Sequence, residues 1–344
     1  MAFIEAARHS GKAWAVCRLP GDSVIHLFNG QALSEGSLSE GFLLQPFDPQ
    51  QRASLIPFWG TTTWVPPFTT VPPKTWSCTE DYDPAYEQLV EKALHRIEEG
   101  VFVKAVPARQ KLWSLTSPLP LGSLYSMLYH AYPKAAVIWA FTPEHGEWMG
   151  ASPEPLLEYS GHEAQTVALA GTINPEDPKA AFSPKEHEEQ ERVAEFIHHT
   201  AHEMGLYVQE SPVARVRYGP VAHLRSTFRI TFPDTLEVGT QALALARKLH
   251  PTPAVCGLPR HAALQFLKTY EGQERGLYAG FWGLAREDRL ALFVNLRCMY
   301  VAADHQQVSL FAGAGVVRGS VPSAELQETK RKMATLGRFL NAFT

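Results

Sequence analysis

Short spacers between apolar runs constrain this chain more than any other feature. LALFVNLRCMYVA (290–302) and VSLFAGAG (308–315) read as strands, yet only five residues separate them. A parallel pair needs a crossover connection of roughly a dozen residues or more, so antiparallel pairing should dominate. VFVKAVPARQKLW (101–113), AAVIWAFT (135–142), TVALAG (166–171) and LRSTFRITF (224–232) are further expected strands. A helix is expected from Asp83 and Pro84, which supply a start signal, through Tyr86, Leu89, Val90, Ala93, Leu94 and Ile97 to a stop at Gly100. Other helices are expected at 184–204, 238–249, 260–270 and 322–341. The fold class is therefore α+β, with antiparallel sheets and helices packed outside them.

Residues 1–75 read as short strands and turns ending in VPPFTTVPPK (65–74), which can continue neither a helix nor a central strand. The expected organisation is an N-terminal segment, 1–78, integrated into the fold of a domain spanning 79–344. With 45% hydrophobic residues the chain can bury a sizeable core. A net charge of -4 without basic blocks argues against nucleic acid or an anionic membrane surface as partner. No signal-like or membrane-length apolar run occurs, and a cytoplasmic location is expected. Cys17, Cys78, Cys256 and Cys298 form no C-x-x-C pair and read as reduced thiols. His198 and His202 have the i, i+4 spacing of a helical metal site but no evident third ligand, so a solvated face is expected.

Several charged residues interrupt apolar patterns. Behind the glycine-rich FAGAGVVRGS (311–320), Glu325, Glu328 and Lys332 stand at i, i+3 and i+7 of the expected helix, beside Leu326, Met333, Leu336 and Leu340. That row is either a solvated salt-bridged face or one wall of a site. Glu189 continues the stripe of Val193, Phe196 and Ile197, which is costly unless it is paired or bound to a cation, although it could simply begin the helix. Two such carboxylates from different helices would suit magnesium. Lys104 alternates with Phe102 and Val106, as a desolvated base would, or as an edge-strand lysine would. Arg297 is a lone cation in an apolar strand and calls for a carboxylate partner, from the protein or from a ligand. Gly313, Gly315 and Gly319 lack dinucleotide-fingerprint spacing, but glycines there would let main-chain N–H groups approach an anion.

Read in order, these segments resemble the chorismate-utilising family, which includes isochorismate synthase, salicylate synthase and the first components of anthranilate and aminodeoxychorismate synthases. The resemblance is carried by VKAVPAR (103–109), GASPEPLLE (150–158), ALAGT (168–172), PKEHEEQERV (184–193), HLRSTF (223–228), LHPTPAVCGLPR (249–260), ERGLYAGFWG (274–283), LRC (296–298), FAGAGVVRGS (311–320) and ELQETKRK (325–332). ALAGT and LHPTPAVCG are similar to the isochorismate synthase versions. Ala170 stands where many aminodeoxychorismate synthases carry a lysine nucleophile, and no LLES-like tryptophan-binding motif is evident, as found in anthranilate synthases.

The resemblance implies two stacked antiparallel sheets with peripheral helices, and a magnesium-dependent, reversible conversion of chorismate to isochorismate. It implies that Lys104 is the base activating water for attack at C2, and Glu154 the acid protonating the departing C4 hydroxyl. Glu189 and Glu328 would be magnesium ligands, with Glu325 in support. Tyr278, Arg297, Gly313 and Gly315 would hold substrate carboxylates, while Gly171, Thr172, His223, Ala254 and Lys332 line the pocket. A monomer without a glutamine amidotransferase partner is expected, and menaquinone is the expected use of the product. Salicylate synthase, to whose version of the motif Tyr278 is similar, and a catalytically silent chorismate-binding subunit are the alternatives. Pro107, Gln190 and Ile173 depart from the family pattern, and Pro107 should mark an edge or a bulge.

Overall fold

A computed structural model describes residues 2–34, 40–63, 65–67, 82–173, 182–218, 221–233, 238–341 and 343. Cys78 and the boundary expected at residue 78 lie outside the described residues, as does 68–74 of the proline-rich connector.

Among the described residues every strand pairing is antiparallel, and the strands form two large sheets and one small one. The first sheet runs, in spatial order, Ala108–Ser114, Gln307–Gly313, Cys298–Val301, Gly146–Ser152, Ala136–Thr142, Ala13–Arg18 and Ile25–Gly30. The second runs Gly41–Gln45, Phe281–Ala285, Arg289–Val294, Pro155–Ser160, Glu163–Ile173 and Val221–Thr231. Strand Ser54–Thr62 belongs to both: its first half pairs with Gly41–Gln45 and its second with Ile25–Gly30, the latter pairing shifting register between Leu27 and Phe28. Residues 13–62 thus supply strands to both sheets.

Side-chain alternation places the cores. Along Ala13–Arg18, Ala13, Ala15 and Cys17 join a core shared with Phe42, Leu44 and Trp282 of the second sheet, while Trp14 and Val16 join another with Ile4 and Ala7 of helix Ala2–His9 and Leu124 and Leu128 of helix Leu121–Ala131. Both faces being covered, the whole strand is buried. Helix Pro322–Leu340 packs outside the first sheet through Met333, Leu336 and Leu340, and helix Pro184–Glu203 packs on Glu163–Ile173 through Val193, Ala194 and Ile197. Among the described residues no helix is long and apolar enough to cross a membrane. Cys17, Cys256 and Cys298 are buried free thiols.

Helices Pro84–Glu98, Pro184–Glu203, Val238–Leu249, Arg260–Tyr270 and Pro322–Leu340 form where expected, and the Asp83 side chain caps the first by accepting from the Tyr86 N–H at 3.0 Å. Two helices correct the sequence reading. Ala2–His9 lies in a segment read as strands and turns, and Leu121–Ala131 carries too many buried residues for its period to stand out.

Two apparent strands prove to be broken. VFVKAVPARQKLW divides at Pro107, which has no N–H to continue a ladder: Lys104–Ala105 is the middle strand of the small sheet, between Gly257–Leu258 and Val316–Val317, and Ala108–Ser114 begins anew in the first large sheet. The edge-strand alternative for Lys104 is therefore overturned. LALFVNLRCMYVA divides at 295–297, where Arg297 takes a φ of 48°, and its halves join different sheets.

Candidate active site

The cavity opens where the chain passes between sheets. Lys104 precedes the break at Pro107, Glu154 sits between Gly146–Ser152 of the first sheet and Pro155–Ser160 of the second, and Arg297 sits on the return passage. The last two passages are stitched together: the Val294 N–H donates to the Glu154 carbonyl at 3.0 Å, and the Ala151 N–H to the Arg297 carbonyl at 3.0 Å. A cavity of about 100 Å³ forms there, lined by charged residues from both sheets and two helices.

Eleven of the residues to which the resemblance gives a site role line it: Lys104, Glu154, Glu189, His223, Ala254, Tyr278, Arg297, Gly313, Gly315, Glu328 and Lys332. Gly171 and Thr172 are described only as strand backbone, with Thr172 opposite His223 and a register shift beside Gly171. Glu325 is 8% exposed but does not line the cavity; its charge acts on the buried Tyr86 phenol. Gln190 also faces away, donating to Ser226 Oγ at 2.8 Å, and Ile173 is buried. Neither departure from the family pattern touches the cavity. The alternative of a solvated face for the row 325–332 does not hold, since Glu325 is buried and Glu328 and Lys332 face the cavity.

Lys104 is 4% exposed, and its Nζ donates to Glu189 Oε1 at 2.6 Å. One helical turn apart, Lys332 and Glu328 meet at 2.7 Å, and Lys332 also donates to the Gly313 carbonyl at 2.8 Å. Burial alone would raise the Glu328 carboxyl, but Lys332, with Arg331 and His223, outweighs it and holds the group below its ordinary value. Glu154 is different. Among the described residues its carboxyl has no hydrogen-bond or ion-pair partner, and burial pushes it up to about 7 against the pull of Lys332, Lys104 and Arg297. A carboxyl of that kind can donate a proton at neutral pH.

The Arg297 guanidinium donates to Thr335 Oγ1 at 3.1 Å and meets no carboxylate of the described residues within ion-pair distance. Burial lowers its basicity, a cost that an anionic ligand would offset. Tyr278, stacked on Phe311 at 5.3 Å, completes the aromatic part of the wall. The glycines are explained by packing: a Cβ at Gly313 would stand 2.9 Å from the Pro107 carbonyl, and one at Gly315 would stand 3.3 Å from both Glu189 Oε1 and Lys104 Cε.

Glu189 and Glu328 reach the cavity from different helices and present hard oxygen donors of the kind magnesium takes, each already in contact with a lysine Nζ. Among the described residues no three acidic, histidine or cysteine side chains converge as a ready-made ion cage. That includes His198, which meets Glu210 at 2.9 Å on the protein surface. Sequence reasoning gave no role to Glu271 or Arg275, a buried ion pair behind the cavity, although Arg275 stands inside ERGLYAGFWG (274–283), one of the segments that carry the resemblance.

Residues 66–341 match the family described as chorismate binding enzyme. The salicylate biosynthesis isochorismate synthase of Pseudomonas aeruginosa is 34% identical over 273 residues, covering 75% of this chain and 55% of that protein. Isochorismate synthase DhbC of Bacillus subtilis is 33% identical over 273 residues, covering 74% and 67%. The chain thus spans about half to two thirds of the length of these relatives. The solved structure of DhbC from Bacillus anthracis has a TM-score of 0.80 at 22% identity, over 96% of this chain and 97% of that one, and so shares the fold. Matched by one family from its proline-rich connector to its last helix, the chain belongs to the chorismate-binding enzymes.

Proposed function

We propose that the protein catalyses the magnesium-dependent, reversible isomerisation of chorismate to isochorismate. The observation that carries this reading is the sharing of one cavity by a buried amine, Lys104, and a buried carboxyl, Glu154, that titrates near 7. Lys104 takes a proton from water as its oxygen bonds to C2. The ring double bonds shift, and the C4 hydroxyl leaves as water with the proton of Glu154. The reverse reaction uses the same two groups with their protons exchanged. Glu189, at 2.6 Å, fixes where Lys104 Nζ points. Arg297 offers a two-point bond to a substrate carboxylate, and Lys332 adds positive charge from the helix.

Glu189 and Glu328 would hold the magnesium ion, whose charge, when bound, offsets that of the substrate's ring carboxylate. The proposal includes a cytoplasmic, monomeric enzyme whose product serves menaquinone formation, and loss of menaquinone on disrupting the gene checks the last point. Product analysis tests the chemistry: chorismate is incubated with the protein, with and without magnesium and ammonia, and resolved by liquid chromatography. Isochorismate formed only with magnesium, reaching the same mixture from either side, is expected. Salicylate with pyruvate would replace the reading with salicylate synthase, anthranilate would mean an ammonia-using relative, and unchanged chorismate would mean a silent binding subunit.

A further inference from the structure

Arg275 does not line the cavity, yet it touches three of the segments that do. Its guanidinium donates to the Val106 carbonyl at 2.7 Å and the Val255 carbonyl at 2.9 Å, and its own carbonyl accepts the Tyr278 N–H at 2.9 Å. Val106, Val255 and Tyr278 are all cavity wall. Nε donates to Glu271 Oε2 at 2.8 Å, Nη2 to Glu271 Oε1, and the guanidinium lies 4.0 Å from the centre of the Phe47 ring. Glu271 Oε1 also accepts the Ala108 N–H at 2.8 Å. Both side chains are 3% exposed.

The pairing answers a need created by Pro107. Where the chain leaves the small sheet for the large one, the Val106 carbonyl and Ala108 N–H lose their ladder partners, and one ion pair supplies both, the cation to the carbonyl and the anion to the N–H. Lys104 is two residues upstream. A buried ion pair is by itself poor evidence of stabilisation, because hydrophobic replacements of similar volume often do as well. This one differs in making directed bonds to the main chain on either side of the break.

We propose that Arg275 and Glu271 are positioning residues, which set the Lys104 strand against the Ala254–Val255 turn and Tyr278. The kinetic consequence rests on the chorismate reading above; the structural one does not. Three proteins are compared: wild type, Arg275→Met, and the double variant Arg275→Met with Glu271→Leu. Arg275→Met strands a buried carboxylate and should lower the melting temperature, whereas the double variant removes both charges and should recover part of that loss, the main-chain groups at the break still lacking their partners. Turnover should nevertheless stay at least about thirtyfold low in both, with KM within about threefold of wild type, because a displacement of the base of about 1 Å is enough to cost that much. Amide exchange in residues 103–109 should be about tenfold faster in the double variant, with the distant strand Ala136–Thr142 unchanged. Turnover that recovers together with the melting temperature would reduce the pair to a stabilising role and overturn the proposal, as would unchanged exchange at 103–109. If wild type fails to convert chorismate, the functional reading falls and the exchange result alone decides the pair.

Discussion

Glu154, buried, and Glu328, partly buried, line one cavity, and their surroundings drive them apart. Glu328 has Lys332 bonded to it at 2.7 Å from the next helical turn and is held below its ordinary value. Glu154 has the same lysine nearby but no bond to it, and burial carries it up to about 7. Distance to a cation separates the roles: a bonded carboxyl stays an anion suited to hold a positive charge, and an unbonded one keeps a proton to give away. Divergent titration of neighbouring carboxyls is how acid and base assignments are recognised in other sites.

The largest effect should come from removing Lys104, the proposed base of the same cavity. Lys104→Ala should lose at least about a hundredfold in turnover, the low end for a general base; steady-state rates of isochorismate formation check this, and near-normal turnover would sink the assignment.

Glu154→Gln comes next, with about a hundredfold loss expected. The pH dependence sharpens the comparison. Forward turnover in wild type should fall as pH rises through about 7, because Glu154 must be protonated to act, and the variant should lack that limb. Wild-type stability should fall over the same pH range. The native carboxyl titrates near 7 against an ordinary 4.5, so its contribution is complete below 4.5 and is lost as pH rises through 7. Relative to wild type, Glu154→Gln should therefore gain about 2 kcal/mol between pH 5 and pH 8 in denaturant unfolding. A constant difference across that range would place Glu154 among ordinary carboxylates.

The sequence made the helices and several strands legible because their periods and stops are local. Asp83, Pro84 and Gly100 bracket one helix; Val193, Phe196 and Ile197 mark another. What it did not show were the crossings. Val101 to Trp113 and Leu290 to Ala302 look continuous because both halves of each are apolar, and only their partners, tens of residues away, reveal that the halves belong to different sheets. Lys104 and Arg297 were visible as misplaced charges for that very reason: a charge inside an apparent strand was the sign of a strand that ends. Glu154 stood out only through the family motif around it, since burial rather than spacing sets its chemistry. Glu325 sat in the same helical row as Glu328, yet the helix turns it towards Tyr86 and away from the cavity.

A smaller effect is expected at the anion of the comparison. Glu328→Gln keeps the shape and removes the charge that Lys332 stabilises. Activity and magnesium dependence should weaken together, with the magnesium concentration for half-maximal rate rising about tenfold, as loss of one charged ligand contact on the order of 1.4 kcal/mol would give. An unchanged magnesium titration would take Glu328 out of the ion site while leaving the Lys104 and Glu154 assignments intact.

The smallest expected effect tests whether bonded pairs in this cavity must stay as close as they are. Gly315 lies against the Lys104–Glu189 pair, and a Cβ there would stand 3.3 Å from Glu189 Oε1 and 3.3 Å from Lys104 Cε. That is tighter than ordinary contact, and both neighbours are side-chain atoms able to give by a few tenths of an ångström. Gly315→Ala should therefore fold normally and lose only about three- to tenfold in turnover, as a sub-ångström shift of the base implies when a shift of about 1 Å costs about a hundredfold. Gly313→Ala makes the contrast, because its Cβ would meet the Pro107 carbonyl at 2.9 Å, and main chain cannot yield so cheaply. It should lower the melting temperature as well as the rate. If Gly315→Ala instead abolishes turnover while keeping the wild-type melting temperature, the Lys104–Glu189 contact tolerates less movement than a flexible ion pair should, and Glu189 would have to be counted with Lys104 as part of the base.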